Sequence, residues 1–124
     1  MHIVEINAVL KLPSNVRYEY FIKRVTDYEE VWSLFSDGWA TFRDEDGKLL
    51  IPFFPKKEFA EISAEKEWAS YKARSISLDD FIEKWLPGMK KNGIIPSIFP
   101  LGNDMEAVSI DVLLKDLEME LENY

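Results

Sequence analysis

The chain has 124 residues, 47% hydrophobic and 31% charged, with 23 Asp plus Glu against 15 Lys plus Arg for a formal net charge of -8. A domain of this size hides roughly two-thirds of its unfolded surface, so one real core is expected without covalent staples, and the composition argues against disorder. The negative balance disfavours nucleic acid and anionic membranes as partners. The absence of Cys removes disulfides, thiolate nucleophiles and Cys-ligated metals, in keeping with a reducing, cytoplasmic location.

The N-terminal "MHIVEINAVLKLP" carries an acid at Glu5 and no long apolar run, which is expected of neither a signal peptide nor a membrane span. Ile3, Ile6 and Leu10 line a short helix that Pro13 stops. Ser14 is then placed to cap a second helix with an inner stripe of Tyr18, Phe21, Ile22 and Val25. Three segments divided by turn residues follow, Glu30 to Ser36, Trp39 to Arg43 and Lys48 to Phe54, and they predict an antiparallel meander. The first of them could instead extend a helix, since Thr26 and Glu29 fit a Thr-x-x-Glu capping box.

From Lys56 to about Trp68 the Ala, Glu and Lys content, with Phe59, Ala60 and Ile62 on one face, predicts a helix begun after Pro55. A strand from Lys72 to Ile76 comes next. Ser77 and Asp80 then form a Ser-x-x-acid cap before Leu78, Phe81, Ile82, Trp85, Leu86 and Met89 at helical spacing. Pro87 falls inside that pattern. Its ring crowds the Glu83 carbonyl and its missing N-H removes a helix bond, so the helix should kink or end near Leu86. "IIPSIF" (Ile94 to Phe99) reads as a strand in which Pro96 indicates an edge or a bulge, pairing with Ala107 to Ile110 across a Gly102-Asn103 turn. Ser109 caps a terminal helix whose apolar face is Ile110, Leu113, Leu114, Leu117, Leu121 and Tyr124. Helices mixed with hairpins in this way predict a single α+β domain over residues 1–124, its sheet antiparallel or mixed, with helices packed against it.

Catalytic signatures are sparse. In "SDGWATFRDEDGKLLIPFFP", Gly47 placed at position six of a calcium loop puts Phe42 at one and Phe53 at twelve, so both defining ligands are missing. Asp44, Glu45, Asp46 and Gly47 are instead expected to form a hairpin turn. His2 is the sole histidine and lies at a terminus. "SAEK" (Ser63 to Lys66) matches Ser-x-x-Lys, but nine Ser and eleven Lys yield about one such match by chance, and the Lys-Thr-Gly partner is absent. No metal site and no cofactor is expected. Asp37, Asp44, Asp46, Asp79 and Asp80 are what remains for acid-base chemistry, and Asp79 with Asp80 already suits the positive end of a helix. The aromatics are the surplus. Four Trp strain the capacity of a small core, and Asp37 with Trp39, and Trp68 with Tyr71, are the chosen candidates for a partly exposed binding patch.

The pieces Gly38-Trp39-Ala40, Asp46-Gly47, Pro52 with Pro55, Glu67-Trp68 with Tyr71, and Trp85-Leu86-Pro87-Gly88 resemble an uncharacterised bacterial family, domain of unknown function 2750. The resemblance covers nearly the whole chain from "RYEYFIKRV" onward, and it implies a fold without implying a chemistry. A fainter, fold-level likeness is to the amino-terminal domain of the SseB-like proteins, and that carries no function.

Charge and missing catalytic residues together lead to the expectation of a non-catalytic protein-binding module, of adaptor, regulatory or immunity-like kind, meeting a partner with a basic surface. The alternative is a carboxylate- or metal-dependent enzyme or a small-molecule binder. A homo-oligomer through "IIPSIF" or the terminal helix is the third expectation.

Overall fold

Pro13 separates the first two helices, as its fixed φ and missing donor require. The computed structural model describes residues 3–66, 68–102 and 104–123, without the Ala107 side chain. Helix α1 spans Ile3–Leu10 and α2 spans Ser14–Tyr28. Pro13, not Ser14, occupies the cap position of α2, with no side-chain cap bond. Ser14 lies inside the helix, and its hydroxyl donates to Glu106 Oε1 at 2.8 Å. The expected stripe holds, with Phe21, Ile22 and Val25 buried and Tyr18 half-buried.

Thr26 does not start a new helix. Its hydroxyl bonds back to the Ile22 and Lys23 carbonyls, each at 2.9 Å. Glu29 then turns left-handed at φ 56, ending α2, and the chain extends as β1, Glu30–Phe35.

β1 does not join a meander. It pairs antiparallel along its whole length with β4, Lys72–Ser77, in a two-stranded sheet. A four-stranded mixed sheet takes β2 (Phe42–Arg43), β3 (Leu49–Phe53), β5 (Ile95–Leu101) and β6 (Asp104–Ala107) in the order β2-β3-β5-β6. β3 and β5 run parallel and the outer pairs antiparallel. The physical reason lies in "LLIPF": a nearly continuous apolar run, four of its five residues buried, suits a strand covered on both faces and paired on both sides. β1 is tied to the end of that stretch by the bridge between Trp32 and Phe54 and by the Ser33 hydroxyl, which donates to the Pro52 carbonyl at 2.6 Å.

β5 is likewise internal, which corrects the expectation that Pro96 marks an edge or bulge. Pro96 stands opposite Ile51 of β3, one residue before the pairing with β6 begins at Ser97. The irregularity falls later, between Ile98 and Leu101, where Phe99 adopts φ 50. β6 lies N-terminal to the expected Ala107 to Ile110, because Ser109 is taken by the next helix: its hydroxyl accepts from the Val112 N-H and starts α6, Ile110–Leu121. Gly102 turns at φ 60 as expected, while Asn103, like Glu67 and Tyr124, lies outside the described residues.

Helix α3 spans Lys57–Lys66 and buries Phe59, Ala60, Ser63 and Ala64. After β4, Ser77 caps as expected, accepting from the Asp80 N-H at 3.1 Å. The helix neither ends nor breaks at Pro87. Short α4 (Leu78–Asp80) widens into a π turn over Phe81–Trp85 and continues as α5 (Leu86–Asn92). The Leu86 N-H reaches the Phe81 carbonyl, five residues back. That extra residue in the turn gives the Pro87 ring room within a continuing helix. The core runs without interruption from Phe21 and Val25 through Phe53, Phe59 and Phe81 to Leu113 and Leu117.

Candidate functional site

Asp37 and Trp39 sit in the tight turn after β1, where the Ala40 N-H bonds the Leu34 carbonyl at 2.8 Å. Asp37 is exposed at φ 57, a left-handed conformation that Asp tolerates better than most residues. Trp39 is half-buried, with its ring 5.1 Å from Phe35 and 4.8 Å from Trp85, both edge-on. Trp85 leads inward to Phe53 at 5.9 Å, and Phe53 to Phe81 at 4.9 Å. The Arg74 guanidinium covers the outer end, 4.5 Å from the Phe35 ring centre and 5.6 Å from that of Trp39. Trp39 is thus the second ring, after Phe35, of a packed aromatic string under a cation.

Trp68 and Tyr71 bracket a separate turn closed by the Tyr71 N-H to Trp68 carbonyl bond at 2.9 Å. Both are half-buried. Trp68 tilts against Phe42 at 6.1 Å and lines a cavity of about 340 Å³ with Leu10 and Pro100, while Tyr71 lines a different groove, between α3 and β4. Phe35 bridges Trp39 and pairs with Lys72, so both turns lie at one end of the β1–β4 ladder, while Trp68 and Tyr71 line different cavities.

The acidic turn holds itself together. Asp44 Oδ1 accepts from the Asp46 and Lys48 N-H groups at 3.0 and 2.9 Å, and Gly47 at φ 80 closes the hairpin. Among the described residues no group of three or more His, Asp or Glu is arranged to hold a metal ion. Asp80 is 3.4 Å from Lys84 on the helix surface.

Sequence reasoning missed a larger feature. Between α2 and α6 lies an open groove of about 770 Å³. At its centre the Tyr18 hydroxyl donates to Asp116 Oδ2 at 2.5 Å. Burial, the Asp116 bond and the charges of Asp116 and Glu106 raise the Tyr18 pKa well above the ordinary phenol range. Glu19, Glu106, Asp116, Glu120 and Glu122 line the groove, and Lys23 is its one cation among the described residues. Ile22 and Met119, the latter 56% exposed, add apolar surface. The signal was present in α6: Asp116, Met119, Glu120 and Asn123 recur at helical spacing beside the Leu113 and Leu117 stripe.

The family model described as a protein of unknown function (DUF2750) matches residues 18–121. That match says nothing of the SseB-like domain, and no curated protein matches the chain. Among the described residues no helix is long and apolar enough to cross a membrane.

Proposed function

Because the chain belongs to the DUF2750 family of proteins of unknown function, a membership that assigns no chemistry, we propose from geometry that it is a cytoplasmic, non-catalytic protein-binding module whose α2–α6 groove receives a basic segment of a partner protein. It acts as one α+β domain, in an adaptor, regulatory or immunity-like role. The carrying observation is the groove itself: five carboxylates and one ammonium around a Tyr18 and Met119 surface. A Lys or Arg side chain can lay its aliphatic stem on Ile22 and Met119 while its head meets the carboxylates. The chain's net charge of -8 adds long-range steering of a basic partner.

A carboxylate- or metal-dependent enzyme, or a small-molecule binder, draws less support, since Asp44 holds its own turn and Asp80 its own helix. Affinity capture from the cell that makes the protein tests the proposal. A captured protein with a basic surface, released as ionic strength rises, is the expected result. A partner whose retention is indifferent to salt contradicts it.

A further inference from the structure

The β1–β4 sheet has an open side. Trp32 exchanges both its backbone groups with Phe54, at 2.9 and 2.7 Å, so it faces away from β4. Alternation along an antiparallel pair then turns Val31, Ser33 and Phe35 toward β4, where they meet Ile76, Arg74 and Lys72. Ala73 and Ser75 consequently direct their N-H and C=O groups outward. Among the described residues no other strand flanks β4 and nothing else bonds those groups.

Beside this edge runs a groove of about 600 Å³ walled by α3. Lys57, Glu61, Ala64 and Glu65 face it, the i, i+4, i+7, i+8 positions of one helical side, and the small residues Ala64 and Ala73 form its floor. On the opposite face of β4, Arg74 projects over the Phe35 ring of the aromatic string, while Lys72 also lines the groove. Glu61, Glu65, Lys72 and Arg74 have no ion pair among the described residues.

We propose that the open edge of β4 accepts an extended segment of a partner protein as a third strand, one that alternates basic residues facing Glu61 and Glu65 with acidic residues facing Arg74. Main-chain bonds to Ala73 and Ser75 supply the attachment, and the two charged faces select the sequence. A second copy of this chain is a poor occupant, because pairing β4 with β4 sets Lys72 and Arg74 against the same cations of the other copy.

This edge shares no lining residue with the α2–α6 groove. Its probe is a capped peptide alternating Lys and Glu between two Val residues, added to the full chain while amide hydrogen exchange is followed by NMR. In the free protein the Ala73 and Ser75 amides exchange rapidly while Arg74 and Ile76 are protected. The peptide slows Ala73 and Ser75 by about tenfold or more. A peptide of the same composition with its charges in two blocks, and the Glu61→Lys/Glu65→Lys variant, each weaken binding by about tenfold. Ser75→Pro removes an outward N-H and no bond to β1, and abolishes binding; should its fixed φ keep it from folding, the exposed α3 variant still decides the matter. Glu19→Lys/Glu122→Lys, which alters the other groove, leaves the peptide effect unchanged. Unprotected Ala73 and Ser75 amides, equal binding of the block peptide, or a dimer that protects these amides without peptide would overturn the proposal.

Discussion

The Arg17 guanidinium lies 5.7 Å over the Phe99 ring while its Nε donates to the Phe99 carbonyl at 3.3 Å. The same side chain, only 2% exposed, reaches the Leu12 and Asp104 carbonyls, both at 2.8 Å, and Asp104 Oδ2 at 3.1 Å. One buried residue thus ties the α1–α2 loop, the irregular turn of β5 and the start of β6.

Removing Arg17 leaves several backbone acceptors without a donor in a tight site. Arg17→Ala, and Arg17→Met, which keeps more of the volume, should each lose about 3 kcal/mol of stability in denaturant unfolding. Asp104→Asn should lose less than about 1 kcal/mol, because the Asp104 side chain is 62% exposed and the carbonyl bonds remain.

Tyr18 gives a pH dependence with a definite sign. Its pKa in the fold is raised from the ordinary value near 10, so its contribution is fully present below that value. Above it the unfolded chain releases the phenol proton while the folded chain keeps it, and stability falls as pH rises. Alkaline unfolding curves should show a smaller decline for Tyr18→Phe than for the parent chain.

Trp39 is expected to act on stability through packing. Trp39→Ala opens the aromatic string at its contact with Trp85 and should destabilise by about 2 kcal/mol, with Trp39→Phe intermediate. Thermal melts of the variants check this, and the near-UV circular dichroism of the paired indoles should weaken in both.

Both serine caps accept from a backbone N-H that otherwise lacks a partner, Ser77 from Asp80 and Ser109 from Val112. Ser77→Ala and Ser109→Ala should each lose about 1 kcal/mol in equilibrium unfolding.

Local physics made the helices legible. The stripe Phe21, Ile22 and Val25, the Ser77 and Ser109 caps and the Asp44 to Gly47 turn depend on neighbours within a few residues, and spacing reveals them. Strand partners depend on distant segments. β1 finds Lys72–Ser77 and β3 finds Ile95–Leu101, choices that hydrophobic pattern alone does not rank. Pro87 predicts a kink or an end near Leu86, and spacing alone does not reveal that the turn before it widens, with the Leu86 N-H reaching the Phe81 carbonyl. The α2–α6 groove depends on Tyr18 meeting Asp116, residues 98 apart in the chain. Trp39 is half-buried, and the Arg74 guanidinium of β4 lies 5.6 Å from its ring centre, a contact only the fold creates.

The most direct test of the groove as the recognition surface is quantitative capture of the basic partner by the parent chain and by Glu19→Lys/Glu122→Lys, side by side at low salt. Both substituted residues are exposed on the groove rim, so the fold should survive, and circular dichroism verifies it. The variant is expected to lose the partner by about tenfold or more in affinity. Undiminished capture by the folded variant would contradict it.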